Sequence, residues 1–154
     1  MTGGFVTPMR AAATALVVAV AIQFIPVKRT NPPVQFEVDA PGPVKKILER
    51  ACYDCHSNHT RWPWYSRVAP VSWLVANDVR RGRKEVNFTD WPTFDFEAQD
   101  HLMAEIAKQV DRGKMPLPMY IVLHSDAMLT PAERQVVVSW ARAAEQAGSE
   151  DPGY

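Results

Sequence analysis

Five consecutive residues, Cys52-Tyr53-Asp54-Cys55-His56, carry the most specific chemistry in the chain. The pattern is Cys-x-x-Cys-His. Two thiols at this spacing match the separation of the two vinyl groups of haem, to which they add as thioethers, and the pentapeptide is a signature of c-type attachment. The histidine directly after the second cysteine then lies under the iron and coordinates it through its imidazole. The expectation is one covalent haem c, with Cys52 and Cys55 as thioether donors and His56 as the proximal iron ligand. Three other readings compete. A thiol redox site normally opens a helix after a strand, and here an apolar helical pattern precedes the motif. A zinc site drawn from Cys52, Cys55, His56 and His59 lacks a second well-spaced pair, and Cys55 and His56 crowd one another as co-ligands. A plain disulfide with a bystander histidine is the third.

A second axial ligand would have to come from well downstream. Met and His are the common partners, Met giving the higher potential. Met115, in Gly113-Lys114-Met115-Pro116, sits in a segment between two helical patterns and is the first choice. His124 is its rival, with Met119 a substitute and an open iron a further alternative. Met103 and Met128 read as core packing, and His59 and His101 as surface or hydrogen-bonded histidines. Trp62, Trp64, Tyr65 and Trp73 follow the motif closely and are expected to wall a pocket for a flat apolar disc, against the plainer reading of core or docking patch. Arg61, Arg67, Arg80, Arg81 and Arg83 offer partners for propionates, although most read as solvated.

Four helices are predicted to position these residues. The first, about 43–51, starts on Pro43 and buries Val44, Ile47, Leu48 and Ala51. The second, about 71–81, turns Val71, Leu74, Val75 and Val79 inward and ends at Gly82. The third, about 96–112, has Asp95 as cap, Leu102, Met103, Ile106 and Val110 on its face, and Gly113 as stop. The fourth opens on the capping box Thr130-Pro131-Ala132-Glu133 and buries Val136, Val137 and Trp140. No run alternates with period two, so the fold class is all-α: a small haem-centred bundle of three to five helices.

Before the domain, residues 11–25 (AAATALVVAVAIQFI) carry no charge, with Arg10 before them and Lys28 and Arg29 after. The run lies between a signal-peptide core and a spanning helix. An uncleaved single anchor is favoured over a cleaved signal because apolar residues continue past Ala19-Val20-Ala21. The expected organisation is a signal anchor or signal peptide over 1–29, a Pro-rich linker over 30–42, a c-type cytochrome domain over 43–147 and a tail over 148–154. Lys plus Arg and Asp plus Glu both number 17 among 154 residues, which argues against nucleic acid as a partner.

The run CYDCHSNHTRWPWYSRVAPVSWLV, then GRKEVNF, then KMPLPMYIVLHSDAMLT and a final helix ending near Trp140 resemble the haem-binding domain family of bacterial c-type cytochrome-like proteins. The resemblance covers about residues 34–142. It implies haem attachment at Cys52, Cys55 and His56. Its Met-Pro pair falls on Met115 and Pro116, and its Tyr and His on Tyr120 and His124, so it leaves the sixth ligand open. The expected function is electron transfer between exported or membrane redox partner proteins, without enzymatic turnover. The expected location is the bacterial inner membrane, the chain anchored by its N-terminal helix and the domain facing the periplasm or cell exterior. The alternative is a haem-based sensor or peroxidase-like enzyme with a labile sixth ligand.

Overall fold

The computed structural model describes residues 8–34, 36–91 and 95–150. Every regular element among them is helical, so the fold is all-α. Seven α-helices are seen: α1 (Pro8–Ala21), α2 (Gly42–Ala51), α3 (Tyr53–His56), α4 (Val71–Glu85), α5 (Phe96–Asp111), α6 (Pro118–Leu123) and α7 (Pro131–Glu150). The chain divides into two compact units, 1–30 with 62–78 and 31–61 with 79–154. They are called unit 1 and unit 2 below.

In unit 1, α1 stops at Ala21 and gives way to a 3-10 turn, Ile22–Phe24. Ile25 is then extended, as the residue before a proline prefers. The expected single membrane-anchor helix is therefore not formed as such. Fourteen helical residues reach about 21 Å, against about 30 Å of hydrocarbon, and no described helix is long and apolar enough to cross a membrane. Gln23 also interrupts the apolar run. Its side chain accepts from the Ala69 amide at 2.9 Å and donates to the Ala69 carbonyl at 3.2 Å. Arg29 donates to the Ser66 carbonyl at 3.0 Å, fastening the same two stretches.

Unit 2 is built on α5 packed along α7, with α2 lying on α7. Val44, Ile47, Leu48 and Ala51 of α2 are all buried, as their spacing predicts. Met103, Ile106 and Val110 of α5 meet Val137, Val138 and Ala141 of α7 in the same core. The α7 face is turned slightly from the expected one: Val136 is exposed, and Val138 and Ala141 take its place. The predicted caps are formed. Asp95 accepts from the Ala98 amide at 2.8 Å. Thr130 and Glu133 close a reciprocal box, Thr130 N donating to Glu133 Oε2 at 2.9 Å and Glu133 N to Thr130 Oγ1 at 3.2 Å. Gly113 adopts φ +65°, the left-handed backbone that ends a helix.

Several expectations are corrected. The stretch before α2 is more than a tether, because Val38 is buried in the core and its amide donates to the Phe88 carbonyl at 2.7 Å. Gly82 does not end α4, which runs on to Glu85. Val79 is buried as expected, but Val71 and Leu74 are exposed. Met128, read as core, is exposed, whereas Met103 is buried. The segment between α5 and α7 holds a helix, α6, whose Pro118 stands at its first position. Of the expected tail, α7 takes in residues 148–150, and residues 151–154 lie outside the described ones, as do residues 1–7 of the N-terminal segment.

Candidate haem site

In unit 2 the Cys-x-x-Cys-His motif forms one tight helical turn at the end of α2. The Cys52 carbonyl accepts from the amides of Cys55 at 3.1 Å and His56 at 2.9 Å. Residues three and four apart on a helix share a face, so Cys52, Cys55 and His56 point the same way. No disulfide joins the two cysteines. Burial, with the neighbouring Cys55, pushes the Cys52 thiol up to about 12, so it stays protonated at neutral pH.

The last turn of α4 holds the imidazole. His56 Nδ1 lies 3.0 Å from the Gly82 carbonyl and 3.2 Å from the Val86 carbonyl. Both partners are acceptors, so Nδ1 carries the proton and Nε2 presents its lone pair. That is the tautomer a metal-ligating histidine uses. Burial lowers the His56 pKa, which keeps the ring neutral, while the two carbonyls pull weakly the other way. Gly82 explains how α4 comes so close: a Cβ there would stand 2.5 Å from the Cys55 carbonyl oxygen and 3.1 Å from Cys55 Cβ. Its glycine serves a backbone approach, not a helix stop.

The turn opens onto a pocket lined by Ala51, Cys52, Asp54, Cys55, His56, Met115, Pro116, Leu117 and Tyr120. The structure thus brings Met115 together with the three motif residues. His124 is not among the lining residues. It ends α6, with Nδ1 3.1 Å from the Tyr120 carbonyl and its ring stacked on Tyr120 at 4.1 Å. Met119 is exposed. His59 pairs with Glu37 at 3.0 Å and lies over Tyr53, and His101 is exposed. Trp62, Trp64, Tyr65 and Trp73, the expected wall residues, all belong to unit 1, where Trp64 meets Tyr65 edge-on and is itself exposed. The pocket's lining comes from unit 2 alone.

Two polar residues of the lining carry a role that spacing does not reveal. Asp54, between the cysteines, is buried and accepts from Arg61 N at 3.0 Å, Arg61 Nε at 3.2 Å and the Tyr120 hydroxyl at 2.8 Å. Burial and the Asp54 carboxylate both push the Tyr120 phenol up, so it remains a donor. The only signal for Tyr120 in the sequence is the family resemblance. Asp54 has none beyond being an acid inside the motif.

The donor set fits a haem: two thiols and a half-buried neutral imidazole on one helical face, a thioether in the same pocket, and a mainly apolar lining. No cluster of three or more His, Cys, Asp or Glu residues suited to a bare metal ion occurs among the described residues. No curated protein and no solved structure matches the chain. A model described as the haem-binding domain matches residues 17–143, and the chain belongs to that haem-binding family.

Proposed function

We propose that the chain is a c-type electron carrier holding one haem covalently, with Cys52 and Cys55 as thioether donors, His56 Nε2 as one axial ligand and Met115 as the other. The observation that carries the reading is the convergence of these four side chains on one pocket, with His56 already in the ligating tautomer. Each thiol would add its S–H across one vinyl double bond, sulfur to one carbon and hydrogen to the other, with no net oxidation or reduction. Bound there, the haem supplies a one-electron iron couple, whose potential a thioether ligand raises. The protein's own part is to hold His56 neutral and aimed, to keep Met115 within the pocket and to exclude water with Ala51, Pro116 and Leu117. With His56 and Met115 both placed to hold the iron, no coordination position would be left for a substrate, which favours transfer over turnover. The partners would then be redox proteins, met in the periplasm or at the cell exterior.

The test is production in a host that exports the chain and carries a cytochrome c maturation system. Expected are a polypeptide mass raised by one haem, a pyridine haemochrome with bands of the c type, and reduced protein that binds carbon monoxide only slowly, as Met115 lets go. Met115→Ala should abolish the weak far-red band of thioether-ligated ferric haem and admit carbon monoxide, whereas His124→Ala should leave both unchanged. Unmodified mass overturns the covalent reading. Carbon monoxide binding by the wild type as fast as by Met115→Ala overturns the carrier in favour of a sensor or peroxidase-like protein.

A further inference from the structure

We infer that Tyr120 is a positioning residue: its bond to Asp54 latches the segment carrying Met115 against the Cys52–His56 turn and so governs whether a bound iron keeps its sixth ligand. The inference rests on the haem reading above. Its physical basis is the side-chain bond by which α6 reaches the motif turn. The entry is fixed, because Gly113 turns the chain out of α5 and the amides of Lys114 and Met115 donate to the Gln109 carbonyl at 3.0 and 3.2 Å. The exit is α6, six residues long with none buried and no side-chain cap. Met119, Val122 and Leu123 are exposed, which leaves Tyr120 and Ile121 to pack against the core.

Of those two, only Tyr120 reaches across to the motif, its hydroxyl 2.8 Å from Asp54 Oδ2 across 66 positions of sequence. The acceptor is itself immobilised. Asp54 sits within the helical turn of the cysteines, and its Oδ1 is occupied by the amide and Nε of Arg61. One end of the latch is therefore as rigid as the proximal turn, and the other lies five residues beyond the proposed ligand. A hydrogen bond to a charged, buried acceptor is among the stronger kinds. Losing it loosens α6 between two fixed points, the Gln109 carbonyl before it and buried Ala127, with the Arg50 bond to the Asp126 carbonyl, after it, which is the motion that would withdraw Met115.

The test is Tyr120→Phe in the haem-loaded full chain, because phenylalanine keeps the stack on His124 and removes only the hydroxyl. Carbon monoxide binding to the reduced variant is expected to be about tenfold faster or more than to wild type. Amide exchange over residues 117–123 should rise by a similar factor. Asp54→Asn, which leaves Tyr120 a neutral acceptor, should move both in the same direction by less, and it serves if Tyr120→Phe does not accumulate. Val137→Ala, destabilised in the core but leaving the Tyr120 hydroxyl and Asp54 in place, should keep the carbon monoxide rate within about twofold. Wild-type protein lacking the thioether band, or Tyr120→Phe matching wild type in rate and exchange, overturns the inference. Absence of haem from the wild type overturns the reading of the site instead, and exchange over α6 in the haem-free chain then decides the latch.

Discussion

The Cys52–His56 turn and the Met115–His124 segment line the same pocket but are held by different means. The turn is locked by backbone. Its own carbonyl bonds close it, the Gly82 and Val86 carbonyls grip His56, and α4 lies so near that no side chain fits at Gly82. The segment is held by side chains at its far end, chiefly one phenol on one carboxylate. Backbone packing of this density has no alternative arrangement close in energy. A short helix with no buried residue, held to the motif through one phenol, has one, at the cost of that bond. The proximal side of the pocket is therefore built to stay, and the distal side is built to be adjustable.

Gly82→Ala should break the rigid side, and it gives the largest effect. In an exposed helix the change would stabilise by about 0.5–1 kcal/mol. Here the new Cβ meets a carbonyl oxygen at 2.5 Å, and backbone cannot swing aside as a side chain would. The expected result is a net loss of about 1–3 kcal/mol in urea denaturation, with weaker haem retention. A variant as stable as wild type would mean that α4 yields easily, and the contrast between the two sides would fail.

Gly82 also shows how far sequence reasoning reaches. A glycine after an apolar periodic run reads as a helix stop, and nothing within α4 contradicts that. The constraint comes from Cys55, which lies 27 positions earlier and meets Gly82 only in the folded chain. The same holds for Asp54 and Tyr120, whose partnership joins α3 and α6, two short helices that no apolar period marks in the sequence. What was legible is local: the spacing of the pentapeptide, the Asp95 and Thr130 caps, the buried faces of α2 and α5, and Met115 as a methionine between helices. For the same reason local sequence does not say what the aromatic cluster after the motif packs against. Nearness in sequence to His56 suggests a pocket wall, yet Trp62, Trp64, Tyr65 and Trp73 belong to the other compact unit.

Thr130→Ala sharpens the comparison from the far end of the adjustable side. Thr130 opens α7, the helix that follows the segment, and its hydroxyl accepts from the Glu133 amide. Loss of such a cap costs about 1 kcal/mol. Thermal denaturation should show that loss while the haem spectrum stays that of wild type, because neither the latch nor the proximal turn touches the cap. A changed axial spectrum in Thr130→Ala would mean that the start of α7, and not Tyr120, holds Met115.

The smallest effect tests whether charge adds anything to the proximal wall. Glu37 bonds Lys45 of α2 and His59 just past the motif, and the Lys45 ammonium, with His59 adding to it, holds its carboxyl below the usual range. A carboxylate whose pKa is lowered on folding stabilises the protein above its unfolded pKa, and the gain fades as pH falls through the folded value. Glu37 and Lys45 are both partly exposed, so solvent and salt screen the pair and leave it weak. Glu37→Gln should therefore be nearly as stable as wild type at pH 7, lose slightly less stability on acidification towards pH 4, and differ least at high salt. A loss above about 1 kcal/mol at pH 7 would show that ion pairs, and not the backbone packing around Gly82, carry the rigidity of that side.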